Sequence, residues 1–104
     1  MDAPVETMKA KLVTIVAPSE ARDSLTQALE SLGASAYTLV KADGHGRHGH
    51  RRYGVLDSAN VLIQTVVPSA IAQNILAHVV AQYAGRAVIA YAMDVDAVPK
   101  EHFT

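Results

Sequence analysis

Apolar and polar positions along the chain fall into four short strand-like runs and two helical stripes. Residues 11–17, KLVTIVA, are rich in β-branched side chains and stop at Pro18, which predicts a buried strand. Ser19 then offers an N-cap, with Glu20 and Asp23 placing negative charge in a first helical turn. Ala21, Leu25, Ala28, Leu29 and Leu32 recur at helical spacing, and Gly33 supplies the stop. Residues 36–41, AYTLVK, predict a second strand, and residues 60–67, NVLIQTVV, a third. Pro68 and Ser69 open a second helix, as cap or first position, whose apolar face is Ile71, Ile75, Leu76, Val79 and Tyr83 and which closes at Gly85. Residues 87–95, AVIAYAMDV, predict the fourth strand, followed by a short tail with the only Phe, Phe103. Residues 1–9 show no period and read as a loose lead-in.

The order β-α-β-β-α-β is the split βαβ pattern: an α+β, ferredoxin-like βαββαβ domain with an antiparallel sheet. Both helices then cover one sheet face. Leu12, Val13, Ile15 and Val16 put apolar groups on both faces of the first strand, and the third and fourth strands do likewise. The uncovered face is therefore expected to meet other copies of the chain, with a ring of three sheets as the simplest closure. One domain spans residues 1–104, with its core over 11–98 and a long second-to-third-strand loop over 42–58.

Composition sharpens this in two places. Half of the 104 residues are hydrophobic and 18% are charged, more apolar surface than so small a core can hide, which again calls for a subunit interface. A net charge of -1 argues against general nucleic-acid binding, so basic character is local. The lack of cysteine removes disulfides and thiolate chemistry and suits a cytoplasmic chain. The first ten residues are mixed and polar, unlike a secretory leader, and no apolar run reaches the ~18 residues of a membrane span.

The candidate chemistry sits in the loop. Four of the six glycines, three of the five histidines and three of the five arginines lie between Lys41 and Gly54. Gly44-His45-Gly46-Arg47-His48-Gly49 lacks the Lys-Ser/Thr of a phosphate-binding Walker loop. Its glycines nevertheless let backbone N–H groups turn toward one anion, and Arg47, Arg51 and Arg52 add forked donors, so phosphate or carboxylate groups fit. His45, His48 and His50 offer a competing metal site, although adjacent arginines repel a cation, and a solvated loop is the third reading. Asp94 and Asp96, two apart at the end of the fourth strand, share a face if the strand continues and would suit Mg²⁺ or acid–base work; a solvated strand end is the simpler account. Tyr37 and Tyr91 are expected half-buried within strands. Arg86, beside the end of the second helix, either caps that helix or reaches a neighbouring subunit's ligand.

KLVTIV, LGASAYTLVKADGHG, AHVVAQY and VIAYAMDVDAV with the final EHF together resemble the PII-like signalling proteins over residues 11–103, nearest the carboxysome- and bicarbonate-transporter-associated subgroup. The resemblance implies a homotrimer that is not an enzyme and takes an adenine nucleotide, ADP or AMP with bicarbonate, in clefts between subunits. It implies signalling through the 42–58 segment (the family's T-loop) to a partner such as a bicarbonate transporter or carboxysome-related protein. On this chain Tyr37, Thr38 and Leu39 would line the base, and Gly44, Gly46, Arg47, His48, Gly49 and Arg51 would approach the phosphates. Val88, Ile89, Ala90 and Tyr91 would form the adjacent subunit's wall, with Gly85 and Arg86 in place of the family's B-loop. The B-loop here is short and lacks the lysine of nitrogen-signalling PII proteins, and no modifiable loop-tip tyrosine is matched. A divalent-metal trimer of the cation-tolerance type, which shares the fold, and a slow nucleotide phosphohydrolase stand as alternatives.

Overall fold

A computed structural model describes residues 3–43, 45–46, 49–50 and 60–103. The main sheet contains β1 (Met8–Pro18), β2 (Thr38–Ala42), β5 (Asn60–Val67) and β6 (Ile89–Ala97) in the order β2-β5-β1-β6, every neighbour antiparallel. Helices α1 (Arg22–Ser31) and α2 (Ser69–Tyr83) lie on one face. This is the expected α+β, ferredoxin-like arrangement. Within the long loop, β3 (His45–Gly46) and β4 (Gly49–His50) form a small separate ladder, pairing His45 with His50 and Gly46 with Gly49.

Alternation along the strands sorts the two faces. Val13, Ile15 and Ala17 of β1 stand beside Thr65, Ile63 and Val61 of β5 and point at the helices. They pack with Leu25 and Leu29 of α1 and with Ala72, Ile75, Val79 and Tyr83 of α2 into one aliphatic core. Ile71 and Leu76, expected on the same helical stripe, are only partly buried at its margin.

The opposite face carries Leu12, Thr14 and Val16 of β1, Leu62, Gln64 and Val66 of β5, Val40 of β2, and Ile89, Tyr91 and Met93 of β6. Val40, Ile89, Tyr91 and Met93 are 47%, 52%, 49% and 54% exposed, so in the single chain this apolar face is open. Thr14 is an exception: it is 1% exposed and accepts a bond from Gln64 Nε2 at 3.2 Å, a polar pair in the middle of the apolar face.

Several boundaries differ from the sequence expectation. The lead-in is not loose throughout, because β1 begins at Met8 and pairs Met8 with Ala97 and Lys9 with Asp96. The fourth strand of the main sheet accordingly runs from Ile89 to Ala97 rather than over 87–95, and Val88 precedes it. The second begins at Thr38, leaving Tyr37 in the connection before it. Ser19 is no α-helical cap: a 3₁₀ turn over Ser19–Ala21 intervenes and α1 starts at Arg22, with Ala21 at its N-cap. Pro68 caps α2 and Ser69 takes the first position. Gly33 ends the α1 connection at φ +101°, and a Cβ there would meet Ile71 Cδ1 at 3.1 Å, so both backbone and space select glycine. The tail closes in a 3₁₀ turn, Lys100–Phe103; the packing of the Phe103 ring lies outside the described residues.

Candidate functional site: two half-clefts at opposite sheet edges

The first half-cleft, of about 360 Å³, lies on the open side of the β2 edge and is lined by Leu12, Ala36, Tyr37, Thr38, Gln64, Thr65 and Val66. Its shape follows from a short chain of bonds. Thr65, 3% exposed, donates its hydroxyl to the Ala36 carbonyl at 2.7 Å, which pins the connection entering β2. Tyr37 and Thr38 are thereby set on the sheet rim, Thr38 exposed and Tyr37 37% exposed in the single chain. Thr38 stands directly opposite Gln64, whose amide is steered by Thr14. A hydroxyl, a carboxamide and an aromatic ring thus converge beside the apolar Leu12 and Val66, a combination suited to a flat heteroaromatic ligand. Leu39 points the other way, toward the core.

Gln64 escaped the sequence reading. The signal for it is an amide inside the run NVLIQTVV, between and at the same parity as the uncovered Leu62 and Val66.

The second half-cleft, of about 460 Å³, lies at the end of α2 and the start of β6 and is lined by Leu76, Val79, Val80, Tyr83, Ala84, Gly85, Arg86, Val88, Ile89 and Ala90. Gly85, at φ +78°, reverses the chain, and the Arg86 N–H donates to the Tyr83 carbonyl at 3.0 Å. The Arg86 side chain does not cap the helix. Its guanidinium lies over the Tyr83 ring, 5.2 Å from the centroid. Tyr83 is 6% exposed, with its hydroxyl 2.5 Å from Ser24 Oγ of α1 and its ring edge-on to His78 at 6.1 Å.

β2 and β6 are the two edges of the sheet, three interstrand spacings of about 4.8 Å apart, or ~14 Å. Tyr37 and Thr38 on one side, and Gly85, Arg86, Val88, Ile89 and Ala90 on the other, therefore cannot close around one small ligand within a single chain. Gly44, Arg47, His48 and Arg51 lie outside the described residues, as do the side chains of His45 and His50, so the phosphate and metal readings of the loop fall there too. Gly46 and Gly49 are seen as partners in the β3–β4 ladder. Among the described residues no three His, Cys, Asp or Glu side chains gather as a metal site, and no helix is long and apolar enough to cross a membrane.

Asp94 and Asp96 do share a face, because β6 continues to Ala97, but each is engaged across the ladder, Asp94 by Lys11 and Asp96 by Lys9. The hydrogen bond and charge of Lys11 hold the Asp94 carboxyl below its ordinary range, and those of Asp96 hold the Lys9 ammonium above its own. A depressed carboxylate pKa stabilises the fold above the unfolded value, near ~4, and that contribution is lost as pH falls through the lower folded value. The Lys9 contribution is present below ~10.4 and lost as pH rises through the raised folded value. Thermal melts of Asp94→Asn against wild type should thus differ slightly at neutral pH and converge as the solution is acidified below pH ~4. A gap that persists or widens there would contradict the pairing.

These features match a known family. The model for nitrogen regulatory protein P-II aligns with residues 10–102, and the chain belongs to the P-II family. A PII-like signalling protein from Thermus thermophilus is 32% identical, with a TM-score of 0.80 over 96% of this chain and 100% of that one. CPII from Thiomonas intermedia, solved with ADP and bicarbonate, is 20% identical, with a TM-score of 0.86 over 97% of this chain and 100% of that one. A second CPII structure, with ADP, AMP and bicarbonate, is 19% identical, with a TM-score of 0.81 over 90% and 92% of the two chains. At these last identities the likeness is one of fold. The sequence matches no curated protein.

Proposed function

We propose that the chain is a cytoplasmic PII-like regulator that assembles as a homotrimer and binds an adenine nucleotide between subunits. The carrying observation is the split site: two half-clefts at opposite edges of a sheet whose intervening face is open and apolar. Docking that face against another copy covers the exposed Ile89, Tyr91 and Met93 and brings one subunit's β2 edge toward a neighbour's β6 edge. Tyr37, Thr38 and Gln64 then receive the base, and the neighbour's Val88, Ile89 and Ala90 form the opposing wall. Arg86, and from the loop Gly44, Gly46, Arg47, His48, Gly49 and Arg51, meet the phosphates. The ADP, AMP and bicarbonate of the CPII structures favour ADP or AMP, with bicarbonate beside the phosphates.

Ligand binding is then signalled through residues 42–58 to a protein partner in inorganic-carbon handling, such as a bicarbonate transporter or a carboxysome-related protein. The pairing of Asp94 and Asp96 with lysines favours this non-enzymatic reading over phosphohydrolysis.

Calorimetric titration of the metal-free protein with AMP, ADP and ATP, with and without bicarbonate, tests the reading. Saturable heat with ADP or AMP, enhanced by bicarbonate, is expected. No heat with any of the three would refute it, and sub-micromolar Ni²⁺ or Zn²⁺ binding lost on replacing His45, His48 and His50 would favour the metal-binding alternative.

A further inference from the structure

The Arg86–Tyr83 contact is built more firmly than a surface stack requires. Ser24 donates its own proton to the Ala21 carbonyl at 3.1 Å, so in the 2.5 Å contact with Tyr83 the phenol is the donor and Ser24 Oγ the acceptor. That bond joins the start of α1 to the end of α2 and, with burial of the ring, leaves Tyr83 one orientation. Gly85 then folds the chain back so that the guanidinium comes to rest on the ring. The ring holds the guanidinium from one side, and Arg86 lines the second half-cleft, where its N–H groups can donate to a ligand. No described carboxylate pairs with Arg86.

We infer that Tyr83 is a positioning residue: its locked ring holds the Arg86 guanidinium in the orientation that meets the phosphates of a bound adenine nucleotide. The inference rests on the nucleotide reading above and adds a residue to it. A free arginine surrenders rotamer freedom when it captures an anion; one already held over a fixed ring at the cleft surrenders less. Arg86 donates to the ligand and Tyr83 acts through it, with Ser24 fixing the ring.

The test compares ADP with adenosine, which shares the base and ribose but lacks phosphates, on full-length variants. Arg86→Gln should weaken ADP by about tenfold or more, the loss of a charge-assisted contact, and leave adenosine unchanged. Tyr83→Leu should weaken ADP by about three- to fivefold, again sparing adenosine, and should add nothing in the Arg86→Gln background. Tyr83→Phe keeps the ring but loses its bond to Ser24, and should fall between wild type and Tyr83→Leu for ADP while sparing adenosine. Arg86→Lys, at an exposed position where folding is not at risk, keeps the charge but not the planar stack and should fall at least as far as Tyr83→Leu.

Full ADP affinity in Arg86→Lys or Tyr83→Leu would overturn the inference, as would a Tyr83→Leu defect equal for ADP and adenosine. ADP binding untouched by Arg86→Gln would overturn it while leaving nucleotide binding intact. Wild-type protein that binds neither ligand overturns both.

Discussion

A chain carrying Met93→Asp is expected to remain folded but to run as a monomer. In the single chain Met93 is 54% exposed on the open sheet face, next to Leu12 in the ladder, so a carboxylate there meets water and costs the isolated fold within about 0.5 kcal/mol. In an assembly that covers this face, the same carboxylate is buried among Tyr91, Ile89 and Leu12 without a cation. An uncompensated buried charge costs about 3–5 kcal/mol at each subunit contact, enough to shift association by a hundredfold or more. Light scattering coupled to size-exclusion chromatography should report the wild type as an oligomer and the variant at the mass of one chain, with unchanged far-ultraviolet circular dichroism. An unchanged oligomeric mass would place the interface elsewhere.

The second large effect concerns the core. Ile15 is 1% exposed on the central strand β1, between Ile63 of β5 and Ala90 of β6, facing both helices. Ile15→Ala removes methyl and methylene groups where neighbours on three sides cannot close the gap, a loss of about 2–5 kcal/mol. Domains of this size hold about 5–15 kcal/mol in total, so the variant should lose a large fraction of its stability. With a urea m-value of roughly 1–3 kcal/mol/M, the unfolding midpoint should drop by about 0.7 M or more. Val80→Ala, at a 72% exposed position on α2, is the control and should stay within about 0.5 kcal/mol of wild type. Both comparisons are made at equal protein concentration, because assembly adds to apparent stability.

The elements held together by burial were the legible ones. Residues 60–67 form a short, largely apolar run that stops at Pro68, so β5 was readable at both ends; the α1 and α2 stripes were equally plain. What escaped is what pairing rather than hydrophobicity creates. β1 reaches back to Met8 and β6 forward to Ala97 because Lys9 and Lys11 face Asp96 and Asp94 across the ladder, and charged residues send no apolar signal. The Ser19 cap failed for a related reason: a 3₁₀ turn after Pro18 delays the α-helix by two residues, and a capping residue in sequence does not reveal which turn it opens.

The site divides in the same way. Thr38 was found through a family resemblance, Gly85 and Arg86 already by their place at the end of the second helix, and all three stand in the two half-clefts. Gln64, Ser24 and Tyr83 were missed as functional residues because their meaning lies in contacts. Gln64 acquires a role from its register opposite Thr38, and Tyr83 from a partner 59 positions away in sequence.

The claim that one ligand is shared by two subunits can be tested most directly by complementation. Thr38→Tyr obstructs the base half and Arg86→Glu repels phosphate at the other, so each variant alone should lose ADP binding. Co-expressed, they form mixed assemblies in which an intact Thr38 edge meets an intact Arg86 edge. For randomly mixed trimers about a quarter of the sites should recover wild-type affinity for ADP. Calorimetric recovery of that fraction is the predicted result; two inactive variants that remain inactive when combined would contradict the shared site.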